Sequence, residues 1–323
     1  MSMRNNCTVA VAVLAFFLAV EAAWADDLLK IASGTIGDWD VSVPEFGKRA
    51  GIFHKHGIDV EVIYNDGSAP TIQATIAGSV DIGLGVGVAG FLAPAVKGAP
   101  IKMFSAQYTG APDLEWFVRA DSPIRSFKDV KEDTTLAFSS NGSSSNIVLL
   151  ALLAQAGVKG KPVAGGNQSA ILTALMSGQL DVGYDSDGGL ALGDARGKIR
   201  VIGSGADLPA FRDLTVRTLI AGTDNLIKRR DVFVRFMQAY HETIDWMYRD
   251  PQPLQWYADQ KHVSVAEAER VRDRIYPKQG MRLGAVHGVE LNIKQAVDFK
   301  RIDAPITPAQ FAQFVDIVWN PPQ

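Results

Sequence analysis

Two stretches of this sequence follow one pattern at an offset of 100 residues. Residues 72–83 and 172–183 share Ala74 and Ala174, Gly78 and Gly178, Asp81 and Asp181, Gly83 and Gly183. A glycine that ends a helix, a short turn and a strand joining a sheet would produce such a pattern. Its recurrence points to two similar units of about 100 residues rather than one large sheet. Asp181 repeats Asp81, so both read as structural turn residues.

The surroundings of each copy support that division. Strands are expected at 29–32, 58–63, 80–85 and 101–106, with helices at 43–54, 69–77 and 88–96 between them. The pattern restarts near residue 134. Strands at 134–138, 180–184 and 199–203 alternate with helices at 147–156, ended by Gly157, and 170–176. Strand–helix alternation implies an α/β protein with largely parallel sheets covered on both faces. From about Asp231 the chain turns helical, over 231–248, 253–262, 265–276 and 308–319.

Residues 1–25 read as an export signal. Arg4 supplies the positive start, 8–20 is apolar and uncharged, and Ala23-Trp24-Ala25 has the small-x-small form cut by a signal peptidase. The run is shorter than the roughly 20 residues of a membrane span. The one cysteine, Cys7, precedes the apolar run, whereas a lipoprotein needs it afterwards. Cleavage after about Ala25 leaves about 298 residues without a thiol. That excludes an internal disulfide and a thiolate metal site. The expectation is a freely soluble protein of the periplasm, with no stable membrane insertion.

Charge removes another class. Lys and Arg number 32 against 35 Asp and Glu, a net −3. Losing Arg4 and Glu21 with the signal leaves 31 against 34, still −3. With no basic surplus, nucleic acid is not an expected partner.

Ligands of open parallel sheets gather at the carboxyl ends of strands. Five loops qualify: 33–39, 65–69, 85–90, 139–146 and 185–189. The 139–146 loop, Ser-Ser-Asn-Gly-Ser-Ser-Ser-Asn, is the sharpest, because it offers hydroxyls and backbone N–H groups ahead of a strong helix. It lacks the Walker lysine, so nucleotide phosphate is not indicated. The 65–69 loop has the same form. Gly85, Gly87 and Gly90 match G-x-G-x-x-G literally, but no acidic residue falls where a dinucleotide fold needs it. Asp38 with Trp39, and Tyr184 with Asp185 and Asp187, could stack on or accept from a ligand, or could serve the core and turns.

Catalytic signatures are thin. His54 and His56 point apart on a helix, and no HExxH, GxSxG or CxxC occurs. Arg217 and Arg119 either meet an anion or lie on strand surfaces. No cofactor and no metal are expected.

The stretches 53–60, 76–83, 95–102 and 122–130, with 170–183 and 230–236, together resemble the substrate-binding proteins of ABC importers. The likeness is to the nitrate/sulfonate/taurine, NMT1/THI5-like branch, and it covers almost all of the mature chain. It implies a type II periplasmic-binding-protein clamshell with two crossovers. Residues 26–116 and 215–323 would form lobe 1, and 117–214 lobe 2. By position, the family's cleft residues fall on Gly34, Thr35, Asp38, Trp39, Gly67, Ser68, Gly87, Val88, Ala89, Ser139, Ser140, Asn141, Gly142, Ser143, Ser144, Tyr184, Asp185 and Asp187. The implied role is capture of a small-molecule ligand by a monomer and its delivery to a permease and ATPase complex, without catalysis. A small organic anion, sulfonate or carboxylate, with an aromatic or other organic body, suits the serine loop. Nitrate, a thiamine-pyrimidine precursor, a pyrimidine-synthesising enzyme and a sensor module are the alternatives. The enzyme form needs cysteines that the mature chain lacks.

Overall fold

The computed structural model describes residues 26–189 and 197–322. The signal segment and Cys7 lie outside the described residues. Two sheets organise the rest, and they are copies in topology.

The first sheet has the order β2-β1-β3-β10-β4. Its strands are β1 (Asp27–Ser33), β2 (Ile58–Tyr64), β3 (Ile82–Gly87), β4 (Ile101–Thr109) and β10 (Thr215–Gly222). β1 pairs parallel with β2 and β3, whereas β10 runs antiparallel between β3 and β4. The second sheet contains β5 (Glu115–Arg119), β8 (Gly183–Asp185) and β9 (Ile199–Ser204) in the order β8-β5-β9. β6 (Thr135–Phe138) and β7 (Lys161–Ala164) pair parallel, and a Leu136–Val182 bridge joins them to it. The resulting order β7-β6-β8-β5-β9 repeats the first sheet, with β5 as its antiparallel strand.

The sequence repeat explains the match. Helix α3 (Ser68–Ile76) leads to β3, and α6 (Gln168–Met176) leads to β8. Gly78 and Gly178 sit at φ +69° and +78°, conformations that end each helix at little cost to glycine. Asp81 Oδ2 accepts from Lys30 N at 2.8 Å, and Asp181 Oδ2 accepts from Thr135 N at 2.8 Å. Each aspartate ties the start of its strand to the neighbouring one, a structural role for both.

Several boundaries differ from expectation. The helix expected over 43–54 is split into α1 (Val43–Arg49) and α2 (Ile52–Lys55), because Gly51 takes φ +70° between them. The helix expected over 308–319 stops early, as α12 (Pro308–Ala312). Beyond it Phe314 O accepts from Met103 N and Asp316 N donates to Met103 O, both at 2.9 Å, so the chain extends along the β4 edge instead. β5, β7, β10, α7 (Thr223–Lys228) and α11 (Val289–Asp298) lie outside the expected elements.

The remaining helices are α4 (Val88–Ala95), α5 (Ser144–Ala156), α8 (Arg230–Arg249), α9 (Pro251–Lys261) and α10 (Val265–Ile275). α8 buries Val232, Phe233, Phe236, Met237, Tyr240, Ile244 and Met247 along one face, at helical spacing. Phe53 of α2 stacks on Phe236 at 5.5 Å. This anchors the C-terminal helices to the first sheet and carries α9 to the mouth of the cleft. No helix of the described residues is long and apolar enough to cross a membrane.

Candidate ligand-binding cleft

The loops at the carboxyl ends of β1, β2 and β3 face those at the ends of β6 and β8. Between them lies an outer cavity of about 440 Å³ walled by Thr35, Tyr64, Asn167, Gln168, Tyr184 and Lys261, among others. Inward of it is a recess of only about 20 Å³, lined by Ser68, Ser139, Ser143, Ser144, Ser145 and Ser186, with Arg217 and Asp40. Gly34, Thr35 and Tyr184 line both.

Two helices start at the recess from opposite sheets. α3 begins at Ser68 after Gly67, and α5 begins at Ser144 after its cap, Ser143, whose hydroxyl accepts from Asn146 N at 3.2 Å. First-turn N–H groups have no partner within their helix and carry partial positive charge. Ser145 Oγ accepts from Ser139 N and lies 3.0–3.1 Å from the hydroxyls of Ser139 and Ser143, which holds the loop in shape.

The two sides already touch. Ala69 N donates to Ser140 Oγ at 3.1 Å, Asn167 Nδ2 to Asp66 Oδ1 at 3.2 Å and Ser186 Oγ to Asp38 Oδ2 at 2.6 Å. A methyl group on Gly90 would lie 2.6 Å from Gly142 O. Glycine on both surfaces is what allows this approach, and the cleft is closed.

Buried charge concentrates behind the recess. Arg217 of β10 sits between Asp40 at 3.0 Å and Asp113 at 2.7 Å, with its guanidinium 4.6 Å from the centre of the Tyr108 ring. Burial pushes Asp113 up to about 7 against the pull of Arg217, and burial raises Asp40 too. Lys261, in the last turn of α9, follows Tyr257 by one turn and so shares its buried face. Its ammonium meets Asp187 at 2.6 Å and Asp38 at 3.9 Å. Burial raises Asp38 to about 6; Lys261 opposes the rise, while Asp187 and Asp40 add to it. Asp185 is raised well above the usual carboxylate range, first by burial and then by Asp187.

The expected residues therefore divide. Gly34, Thr35, Gly67, Ser68, Ser139, Ser143, Ser144 and Tyr184 line the cavity or its recess. Ser140 and Gly142 form cross-cleft contacts. Gly87, Val88 and Ala89 border a gap of only about 10 Å³ between α4 and α5, so they pack the interface. Asp38 and Asp187 serve the Lys261 cluster. Asp185 accepts from Gly189 N and borders a separate cavity of about 130 Å³ beside Glu115. Asn141 is exposed and lines none of these cavities.

Trp39 is placed differently from expectation. It is fully buried, with Tyr257, Tyr248 and Phe46 around its ring at 5.1, 5.8 and 6.1 Å. The indole packs the base of the turn rather than facing a ligand. Conversely, sequence reasoning overlooked Lys261, Gln168 and Gln260, while Ser186 lay within the 185–189 loop it had singled out. Only Gln168, one residue past the helix cap Asn167, carried a local signal. Among the described residues no group of three His, Cys, Asp or Glu side chains is placed to hold a metal.

Two lobes closing on a polar recess define a periplasmic-binding-protein fold, and comparison with solved structures agrees. The periplasmic aliphatic sulphonate binding protein SsuA from Escherichia coli aligns with a TM-score of 0.67 at 20% identity, over 92% of this chain and 93% of that one. The alkanesulfonate-binding protein SsuA from Xanthomonas axonopodis pv. citri, bound to MOPS, gives 0.68 at 18% over 84% and 90%. The periplasmic nitrate-binding protein NrtA from Synechocystis PCC 6803 gives 0.68 at 12% over 90% and 86%. The NMT1/THI5-like family model matches residues 46–253, and the chain belongs to that family. A comparison with curated protein sequences gives no match.

Proposed function

We propose that this protein is the extracytoplasmic solute-binding component of an ABC importer, closing on a small organic anion and delivering it to a permease. The observation that carries this reading is the meeting of the α3 and α5 N-termini, one from each sheet, across a recess lined by serine hydroxyls. Neutral donors and helix dipoles stabilise an anion without a buried counter-ion. A sulfonate or carboxylate group would sit at the mouth of the recess with its oxygens toward the serine hydroxyls, and its organic body, aromatic or not, in the outer cavity. About 440 Å³ is far more than a bare nitrate needs. The names of the SsuA relatives support the same ligand class.

In this reading residues 26–116 and 215–323 form lobe 1, residues 117–214 form lobe 2, and ligand shifts the population toward the closed form. The mature protein is a periplasmic monomer, released by cleavage after about Ala25, and it binds without turnover. A thermal-shift screen across alkyl and aryl sulfonates, carboxylates, nitrate and aminopyrimidines tests it, since binding to the folded state raises the midpoint. Sulfonates or carboxylates should raise the midpoint, and Ser139→Ala/Ser145→Ala should abolish the rise. Stabilisation by aminopyrimidine alone, or conversion of the ligand into product on incubation, would overturn the reading.

A further inference from the structure

The largest of the cavities described lies away from the cleft. It encloses about 800 Å³, and both chain crossovers between the sheets form its walls. One wall is 109–112, leaving β4 for β5, and the other is drawn from 205–213, leaving β9 for β10. A third segment, 277–282, follows α10.

The crossovers are tied together beside it. Gly110 N donates to Leu214 O and Gly205 N to Leu114 O, each at 2.9 Å. Gly205 packs so closely on Ala111 that a side chain there would overlap the Ala111 carbonyl. Rotation of one lobe against the other must bend these two strands, so it must change the spacing of the cavity walls. The shape seen here belongs to the closed cleft.

Chemistry limits the occupant. Ala111, Pro112, Leu208, Pro209 and Pro277 offer an apolar lining. Arg212 and Arg282 stand at the exposed rim. Asp213 approaches Arg282 only to 4.0 Å, and among the described residues Arg212 forms no ion pair. Two cations face one distant carboxylate. We propose that this hinge cavity is a second binding site, for an organic monoanion with an apolar body, and that its occupant favours the closed form. By linkage such an effector and the cleft ligand strengthen each other. The proposal stands on the hinge and needs no particular cleft ligand.

Octanoate is a suitable probe, titrated calorimetrically into the full mature chain. Binding should weaken at least tenfold in Arg212→Gln/Arg282→Gln and in Ala206→Trp, which fills the cavity from an exposed position. Gly90→Trp touches no hinge residue but wedges α4 from Gly142, and it should weaken octanoate several-fold by holding the lobes apart. Gly87→Leu serves the same purpose if that variant does not fold. No binding of octanoate, or binding indifferent to the arginine and Ala206 variants, would overturn the site. Binding that survives the wedge unchanged would overturn its coupling to closure.

Discussion

Lys261 Nζ lies 2.6 Å from Asp187 Oδ2, joining the C-terminal helices to the second sheet across the cleft mouth. Both side chains are almost wholly buried, at 6% and 0% exposure. Removing one partner of a buried pair leaves an uncompensated charge, which costs about 3–5 kcal/mol. Lys261→Met should lose on the order of that at pH 8 and less at pH 5, where Asp38 takes up a proton. Lys261→Met/Asp187→Asn should recover part of it. Urea unfolding at the two pH values checks this, and equal losses at both would contradict the assignment.

Acid titration should show the buried carboxylates directly. Burial lifts Asp38 from 3.8 to about 6 and Asp113 from 3.8 to about 7, in each case against a neighbouring cation. The folded chain holds these protons more tightly than the unfolded chain, whose aspartates titrate near 3.9. Their contribution to stability is full below about pH 4 and is lost as pH rises through about 6 and 7. The melting temperature should therefore fall between pH 5 and 8, and fall less steeply in Asp38→Asn. A wild-type midpoint that climbs over this range would count against these environments.

Trp39 should behave as a core residue. Truncating a fully buried aromatic costs about 3–5 kcal/mol, so Trp39→Ala should lower the urea midpoint markedly. Any ligand affinity lost should be regained by Trp39→Phe, which restores most of the packing. A stable Trp39→Ala protein with weak binding would return the indole to the cleft.

Two glycines separate strain from obstruction. Gly67 sits at φ +96°, and a methyl there would lie 2.5 Å from Ser140 Oγ across the cleft. Gly78 sits at φ +69° with nothing within 4 Å of such a methyl. Both alanine variants carry backbone strain of about 1–3 kcal/mol. Only Gly67→Ala should weaken ligand binding, by about tenfold or more, because it alone opposes closure. Calorimetry on the pair decides it; equal affinities would show that Gly67 does not gate the approach.

What was legible in the chain were features written locally. Gly78 and Gly178 mark helix ends, Asp81 and Asp181 mark strand starts, and Ser143 caps a helix, because each acts within a few residues or on an adjacent strand. The cleft loops could be read for the same reason. Lys261 could not, since a lysine in a helix's last turn reads as a solvated charge until Asp187, 74 residues away, is brought to it. Arg217 likewise read first as a strand-surface residue, with an anion-binding role as the alternative. Its place was decided only when Asp40 and Asp113 arrived from two other segments. Trp39 misled because the tyrosines enclosing it, Tyr248 and Tyr257, come from helices some two hundred positions later.

The placement of β10 between β3 and β4 sets an order of events for a chain emerging from its N-terminus. Until residues 215–222 are available, the first sheet lacks the strand that joins β3 to β4, and β4 has no neighbour to hold it against β3. A nascent chain shorter than this carries an incomplete core, however long it waits. The first sheet therefore cannot complete its hydrogen bonding until about two-thirds of the chain has been made.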